Sequence, residues 1–443
     1  MKVLSVGGGA REHSIVEALK KSDAEIYSVM RNKNPGITRA SVEYALQDEC
    51  EIDKVADWAL SKGVELAVIG PEAPLGEGIV DLLESKGIPC VGPSKSAAQI
   101  EISKEYARDL MKRNNIPGYV EHMVFDNLED VKQFLDEYDK EVVVKPIGLT
   151  GGKGVKVMGE HLQDYNDVLS YAEEILEKKI GGQSRLIIEE RCVGEEFTLQ
   201  AFCDGKTLAP MPAVQDHKRA YEGDEGPNTG GMGSYSESNG LLPFLAREEY
   251  EEAVEIMRRT TDAMRAEGTP YVGILYGQFM LTAYGIKLIE YNARFGDPES
   301  MNVLPILQDD FLTICKRIVD GSLGAAVRFD RKATVCKYVV PIGYGVKSLV
   351  GEKISLDEEA IRKAGAELYY ASVNEEGGQI YTTSSRSLGI VGIADTIAEA
   401  EAISEEGLKY ISGKAYMRHD IGKPESIRKK IERMKSIRRS RLA

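Results

Sequence analysis

The chain has 443 residues, of which 42% are apolar and 29% charged, and its formal net charge is −15. At ~150 residues per domain this length predicts about three domains, each large enough for a packed core. The acidic balance excludes a general nucleic-acid binder, which needs a basic surface against phosphates, but leaves room for a small phosphorylated ligand held by local cations.

The N-terminus opens directly on a strand over residues 2–6, without the apolar region of a signal peptide. A helix over 12–20 follows, with Ile15, Ala18 and Leu19 on one face. Strands at 26–30, 65–69 and 88–91 then alternate with helices at 52–62, which holds the only tryptophan (Trp58), and at about 79–86. Repeated βα units predict an open parallel sheet that binds ligands at the carboxyl ends of its strands. Those ends carry GGGAREH (7–13) and GPEAPLG (70–76). A helix over 103–114 comes next. From Val120 the pattern is strand, helix, strand (141–145), helix (about 165–178) and strand (185–190). The polar, Gly-rich stretch 215–233 has few strand or helix formers and reads as a functional loop.

Two apolar runs then face each other across Ala283, Tyr284 and Gly285, which read as a hairpin loop. A single helix is expected over about 301–320. From about Lys332 short β-rich runs (334–340, 367–373, 379–383) and a helix near 397–411 indicate a smaller α+β domain. Residues 425–443 hold eight basic and two acidic groups, with Ile427, Ile431 and Met434 at helical spacing. That tail is either a solvated terminal helix or a docking or oligomer contact. Six cysteines are scattered without a C-x-x-C pair, so neither a zinc site nor a disulfide framework is expected. No apolar run approaches the ~18 residues of a membrane span. A cytoplasmic protein with no membrane partner is expected.

The most informative feature is Glu290, Asn292 and Arg294, which fall on alternate residues of an extended segment and so share one face. A loop centred on Tyr284 puts Gln278 opposite Glu290 on that face. Hard oxygen donors and a carboxamide beside an arginine suit a divalent cation held against phosphate oxygens, although a solvated strand face carries similar residues. GGGAREH fails as a dinucleotide fingerprint, because Glu12 stands where the third glycine belongs. A phosphate on the helix N-terminus, or merely a tight turn, both remain open. His13 is a lone histidine and reads as structural. The segment from Lys145 to Gly154 has four glycines and two lysines after a strand but lacks the Ser or Thr of a P-loop. It suits a flexible loop over triphosphate oxygens as well as a plain hairpin. In 187–197 a strand runs into an acidic linker whose backbone can bond a base and whose carboxylates can hold ribose hydroxyls, or which is simply surface. DHKR (216–219) and PNTGGMG (227–233) suit a phosphate or an acyl-transfer intermediate, or a glycine linker.

Together these segments closely resemble the phosphoribosylamine–glycine ligase (glycinamide ribonucleotide synthetase) family of ATP-grasp enzymes, from residue 1 to about Gly422. The most specific pieces are RFGDPE (294–299), PNTGGMG (227–233), GPEAPL (70–75), and GPSK (92–95) with Ser103 and Lys104. The resemblance implies an α/β and α+β multidomain fold: an N-terminal open parallel α/β sheet (1–102), a central ATP-grasp domain (103–330, with a mobile lid over about 120–190), and a small C-terminal α+β domain (331–422), before a basic tail (423–443). It implies ATP-dependent ligation of glycine to 5-phosphoribosylamine through glycyl phosphate, in purine biosynthesis, with Mg²⁺ or Mn²⁺ as cofactor.

By the same resemblance Gln278, Glu290 and Asn292 would bind metal. Lys104, Lys145 and Lys153 would hold ATP phosphates, Glu190 and Val193 adenine, and Glu196 the ribose. Arg294 and Asp297 would be catalytic, Arg294 by neutralising the transferring phosphoryl group. Gly8, Gly9, Gly70, Pro71, Glu72, Gly230 and Gly231 would hold phosphoribosylamine. A monomer is expected in preference to an oligomer. Departures from the family pattern are Ala10 for Gly, Thr150 and Gly151 for a pair of alanines, Ser300 and Met301 for Thr-Gln, and the added tail. Two rivals are a related ligase with another acceptor and a regulatory ATP sensor. The loop at 227–233 and the retained metal-type residues with Arg294 speak against them.

Overall fold

The computed structural model describes residues 1–148, 154–324 and 326–440. Its N-terminal sheet is wholly parallel, in the order Glu43–Leu46, Glu25–Met30, Lys2–Val6, Leu66–Ile69, Cys90–Val91. Leu66–Ile69 is buried along its whole length and Lys2–Val6 from Val3 onward, as strands covered on both faces by helices must be. Sequence reading missed the edge strand Glu43–Leu46, which is mostly exposed and so shows no apolar alternation. It also missed the short helix Pro35–Ala40, although Asn34 accepts the amides of Gly36 and Ile37 as an N-cap.

The middle of the chain builds two four-stranded antiparallel sheets. One is Leu208–Pro210, Gly194–Asp204, Val272–Thr282, Gly285–Asn292. The other, His122–Phe125, Leu186–Glu190, Val142–Pro146, Lys156–Val157, packs beside the helices Leu128–Glu137 and Tyr165–Lys178 on a separate core that includes Val131, Val144, Val168 and Ile175.

The C-terminal region forms a six-stranded sheet that recruits Gln215–Asp216 and Gly233–Ser236 from the stretch expected to be loop. A Cβ at Gly233 would lie 2.3 Å from the Cys336 carbonyl oxygen, so glycine here permits strand pairing rather than flexibility. The helix expected over 301–320 is two helices, Ser300–Val303 and Phe311–Val319. Pro305 cannot donate within a helix, and Asp310 caps the second one through the Thr313 amide. The tail is the helix Pro424–Ser440. Met434 is fully buried, and Ile427, Ile431 and Ile437 pack on the central core, so the solvated alternative is overturned. Among the described residues, no helix is long and apolar enough to cross a membrane.

His13 joins the N-terminal helix Ala10–Lys21 to the C-terminal sheet. Its Nδ1 accepts the Tyr370 amide at 2.8 Å, and its ring stands edge-on to Tyr369. A Cβ at Gly36 would lie 2.0 Å from the ring, so only glycine fits beneath it. Burial, with Arg39 and Lys20 nearby, lowers its pKa to about 3. As pH falls below ~6.5 the unfolded chain takes up a proton that the folded chain refuses, and stability drops until the folded value is reached. Between pH 7 and pH 5 the wild type should lose about 2 kcal/mol more stability than His13→Asn, read by denaturant titration. Equal losses would show that His13 is not the group responsible.

Candidate active site

The hairpin Val272–Thr282/Gly285–Asn292 sets the geometry. Its loop is tighter than expected: Thr282 pairs with Gly285 across Ala283 and Tyr284 alone. Unbroken, that register would set Gln278 opposite Ile289. Instead the ladder shifts at a bulge, Ile289 has no partner, and Gln278 stands opposite Glu290 and Tyr276 opposite Asn292. The expected pairing is therefore present for a different reason, because the bulge cancels the one-residue error in the loop. Arg108 holds the bulge open. Its Nη1 and Nη2 donate to the carbonyls of Leu288 and Ile289 at 2.8 and 2.7 Å, while its Nε donates to Glu189 at 2.7 Å.

Glu290 faces a ring of cations. Burial pushes its carboxyl upward, but Lys218, Lys145, Lys104 and Arg294 together hold its pKa below the usual value. Lys104 begins the helix Lys104–Arg113, capped by Ser103, and its Nζ donates to the Gly148 carbonyl at 3.2 Å. Lys145 is the penultimate residue of strand Val142–Pro146 and lies 2.5 Å from Glu189. Burial raises the Glu189 carboxyl, yet Arg108 and Lys145 outweigh it and bring the pKa to about 2. Arg294 lies 3.0 Å from Glu101 and 3.4 Å from Glu72, and its Nη2 donates to Asn292 at 3.2 Å.

These groups line one cavity of about 620 Å³, of the size that small-molecule sites use. Of the residues expected from sequence, Lys104, Lys145, Glu190, Val193, Glu196, Gln278, Glu290, Asn292, Arg294, Asp297, Glu72 and Gly230 line it. Gly8, Gly9, Gly70, Pro71 and Gly231 do not, and Lys153 lies outside the described residues. The amide of Gly9 is already bonded to Glu12 Oε2 at 2.7 Å, so an anion on that helix N-terminus must displace an internal carboxylate. Gly70 is nonetheless tied to the wall, since its carbonyl accepts from Arg11 at 2.7 Å, and Arg11 lines the cavity. Glu190 is anchored by Lys287 at 2.6 Å.

Asp297 sits in a second cluster. Arg386 lies 3.0 Å from its carboxylate, and the Tyr338 hydroxyl donates to it. Arg386 also donates to the carbonyls of Gly230 and Asp297, at 2.5 and 2.7 Å. Sequence reading missed Arg386, from the segment just before strand Leu388–Ala394, and Tyr338, from strand Ala333–Pro341, neither of which carries a local motif. It also missed Arg108, which looks like an ordinary surface charge, and it gave no role to Glu189 within the quoted segment 187–197. Asp216 and Glu299 do lie within quoted motifs. Burial first, then Glu299, raises the Asp216 pKa well above its usual value.

The residues fit a divalent cation. The Gln278 side-chain oxygen is buried with no hydrogen-bond partner, while its nitrogen donates to Glu196. A hard, unpaired oxygen beside the Glu290 carboxylate is the donor set that such an ion takes.

The chain matches the family models for the phosphoribosylglycinamide synthetase N domain over residues 1–101, its ATP-grasp (A) domain over 102–300 and its C domain over 334–424. It is 55% identical to the phosphoribosylamine–glycine ligase of Methanobrevibacter smithii, over 99% of this chain and 100% of the relative. It resembles the solved phosphoribosylamine–glycine ligase of Thermotoga maritima with a TM-score of 0.81 and 25% identity, over 95% of this chain and 100% of that one. The biotin carboxylase domain of the Hydrogenobacter thermophilus 2-oxoglutarate carboxylase, solved with ADP, magnesium and bicarbonate, shares the fold. Its TM-score is 0.72 at 17% identity, over 98% of this chain and 93% of that one.

Replacing Arg108 with Met should cost about 3 kcal/mol, because it strips a buried partner from Glu189 and two from the bulge carbonyls. Chemical denaturation measures this. A loss under ~0.5 kcal/mol, as for a surface change, would refute the role given to Arg108.

Proposed function

The chain belongs to the phosphoribosylglycinamide synthetase family and ligates glycine to 5-phosphoribosylamine with ATP, and we propose that the cavity beneath Glu290 is where it does so. The convergence of Lys104, Lys145, Lys218 and Arg294 around the Glu290, Asn292 and Gln278 face carries this reading. The fold has three domains, and we divide them at about 102 and 330, with the tail from 423. The sheet-and-helix layer within about 120–190, which has a core of its own, is the lid.

The glycine carboxylate attacks the γ-phosphorus of ATP. One P–O bond forms, the β–γ bridge breaks, and ADP leaves. The amine of phosphoribosylamine then attacks the acyl carbon of glycyl phosphate, and phosphate leaves as the amide forms. No covalent enzyme nucleophile is required, since positioning and charge neutralisation carry such transfers. Lys104 and Lys145, with Lys153, hold the polyphosphate, and Lys145 exchanges its ion pair with Glu189 for phosphate oxygens as it does so. Arg294, held by Glu101 and Glu72, faces the transferring phosphoryl group. Glu190, Val193 and Glu196 line the adenosine end. A Mg²⁺ or Mn²⁺ ion, held by Glu290, Asn292 and Gln278, would supply further positive charge to the phosphate oxygens.

Asp297 acts by position: it fixes Arg386, which braces the carbonyl of Gly230. Glu72 and Gly230 on the cavity wall, with Gly8, Gly9, Gly70, Pro71 and Gly231 just behind it, form the phosphoribosylamine side. Closure of the lid keeps water from glycyl phosphate. We place the enzyme in the cytoplasm as a monomer.

ADP release, measured with each amino acid in the presence and absence of fresh phosphoribosylamine, tests the reading. Turnover is expected with glycine only, and only when both substrates are present. Turnover with another amino acid in place of glycine would overturn the reading. Glu290→Gln should lower kcat by about a thousandfold while leaving the melting temperature unchanged within a few degrees. Near-normal turnover at ordinary Mg²⁺ would refute its metal role. Arg294→Ala should lower kcat more than it raises KM for ATP, and a change in KM alone would remove it from the transition state.

A further inference from the structure

The matched C domain ends at residue 424, where the helix Pro424–Ser440 begins. This helix returns across the molecule to strands Gly194–Asp204 and Val272–Thr282, the two that carry Glu196 and Gln278. Met434 is fully buried there, so the contact is a packed one. Its polar side reaches the nucleotide cavity, because Lys430 and Arg433 both line it.

Two carboxylates on the cavity rim depend on this helix. Lys430 Nζ lies 3.6 Å from Glu195 and 3.2 Å from Asp224, and Arg433 lies 3.1 Å from Glu195. The Glu195 side chain is only 4% exposed. It adjoins Glu196, whose side chain leaves the opposite face of the same strand. Asp224 sits in the turn of the hairpin Arg219–Tyr221/Glu225–Asn228, which runs directly into Thr229 and Gly230 of the cavity wall. Arg418 shares Asp224 at 2.9 Å.

We propose that the C-terminal helix completes the ATP site of its own chain, with Lys430 a positioning residue for the nucleotide. Lys430, together with Arg433 and Arg418, offsets the charge of Glu195 and Asp224, which would otherwise repel a polyanion, and it pins the 219–228 hairpin against the adenosine end of the cavity. A buried carboxylate beside an anionic ligand needs such a counter-charge, because the low-dielectric surroundings screen it weakly. The inference rests on the reading of the cavity as the ATP site.

The test is Lys430→Met in the full chain, with Lys430→Arg as the rescue. Lys430→Met should raise KM for ATP about tenfold, with kcat and the KM for glycine within about twofold of wild type, and Lys430→Arg should restore KM. An unchanged KM for ATP, or a uniform loss on all substrates that tracks a fall in melting temperature, would overturn the role. Should Lys430→Met fail to fold, Arg433→Met, altering a side chain 58% exposed, replaces it. It should raise KM for ATP about threefold, and no change would again overturn the proposal. Failure of the ATP-site reading is distinguishable, since Glu290→Gln, on the floor of the same cavity, would then leave turnover near normal.

Discussion

Arg108 is buried to 3% exposure and commits its guanidinium to two tasks. It caps the carbonyls of Leu288 and Ile289 where the ladder slips, and it pairs with Glu189 on the neighbouring sheet. The first task fixes the register that brings Glu290 opposite Gln278. Without the bulge, period-2 alternation would turn Glu290 and Asn292 to the apolar face of the strand. The second ties that register to the strand end bearing Glu190, so one side chain coordinates the face of one sheet with the lip of another.

In the proposed site the same cluster would set the electrostatic terms on which a nucleotide enters. Lys145 is paired with Glu189 at 2.5 Å, so a phosphate must compete with an internal carboxylate. Glu189 is not stranded by that exchange, since Arg108 remains bonded to it. Breaking a buried pair is costly chiefly when a charge is left alone. Shared ownership of Glu189 would keep the proposed exchange of Lys145 between partners inexpensive. Arg294 is placed by the same logic, with Glu101 buried on one side and Glu72 half-open on the other.

Long regular elements were legible in the sequence because burial writes a period into them. The helix Ile52–Lys62 stops at Gly63 in the left-handed region, and Tyr165–Lys178 starts at its Asp164 cap. Elements whose pairing partner lies far along the chain were not. Gly233–Ser236 becomes a strand only because Ala333–Pro341 is present to receive it. The metal-type face was legible as residue types, yet the two-residue turn and the bulge at Ile289 were not, and two errors of one residue cancelled. Arg386 and Tyr338 were invisible for a plainer reason: their roles exist only once the C-terminal sheet meets Asp297. The tail was half legible. Its apolar spacing was visible, but nothing local tells a docked face from a solvated one.

A net charge of −15 looks ill-suited to a site for a polyanion. The resolution is spatial, since Coulomb interactions between exposed charges fade over about 10 Å while those inside a cavity do not. Four carboxylates close to the cavity are each matched by cations from a different part of the chain: Glu189 by Arg108, Glu101 by Arg294, Asp297 by Arg386, and Glu195 by Lys430 and Arg433. Those cations come from the first helix of the central region, the hairpin end, the segment before strand Leu388–Ala394 and the terminal helix. The sign of the potential inside the cavity therefore depends on tertiary assembly rather than on composition. Positive charge becomes available to phosphates only when these distant segments are docked together.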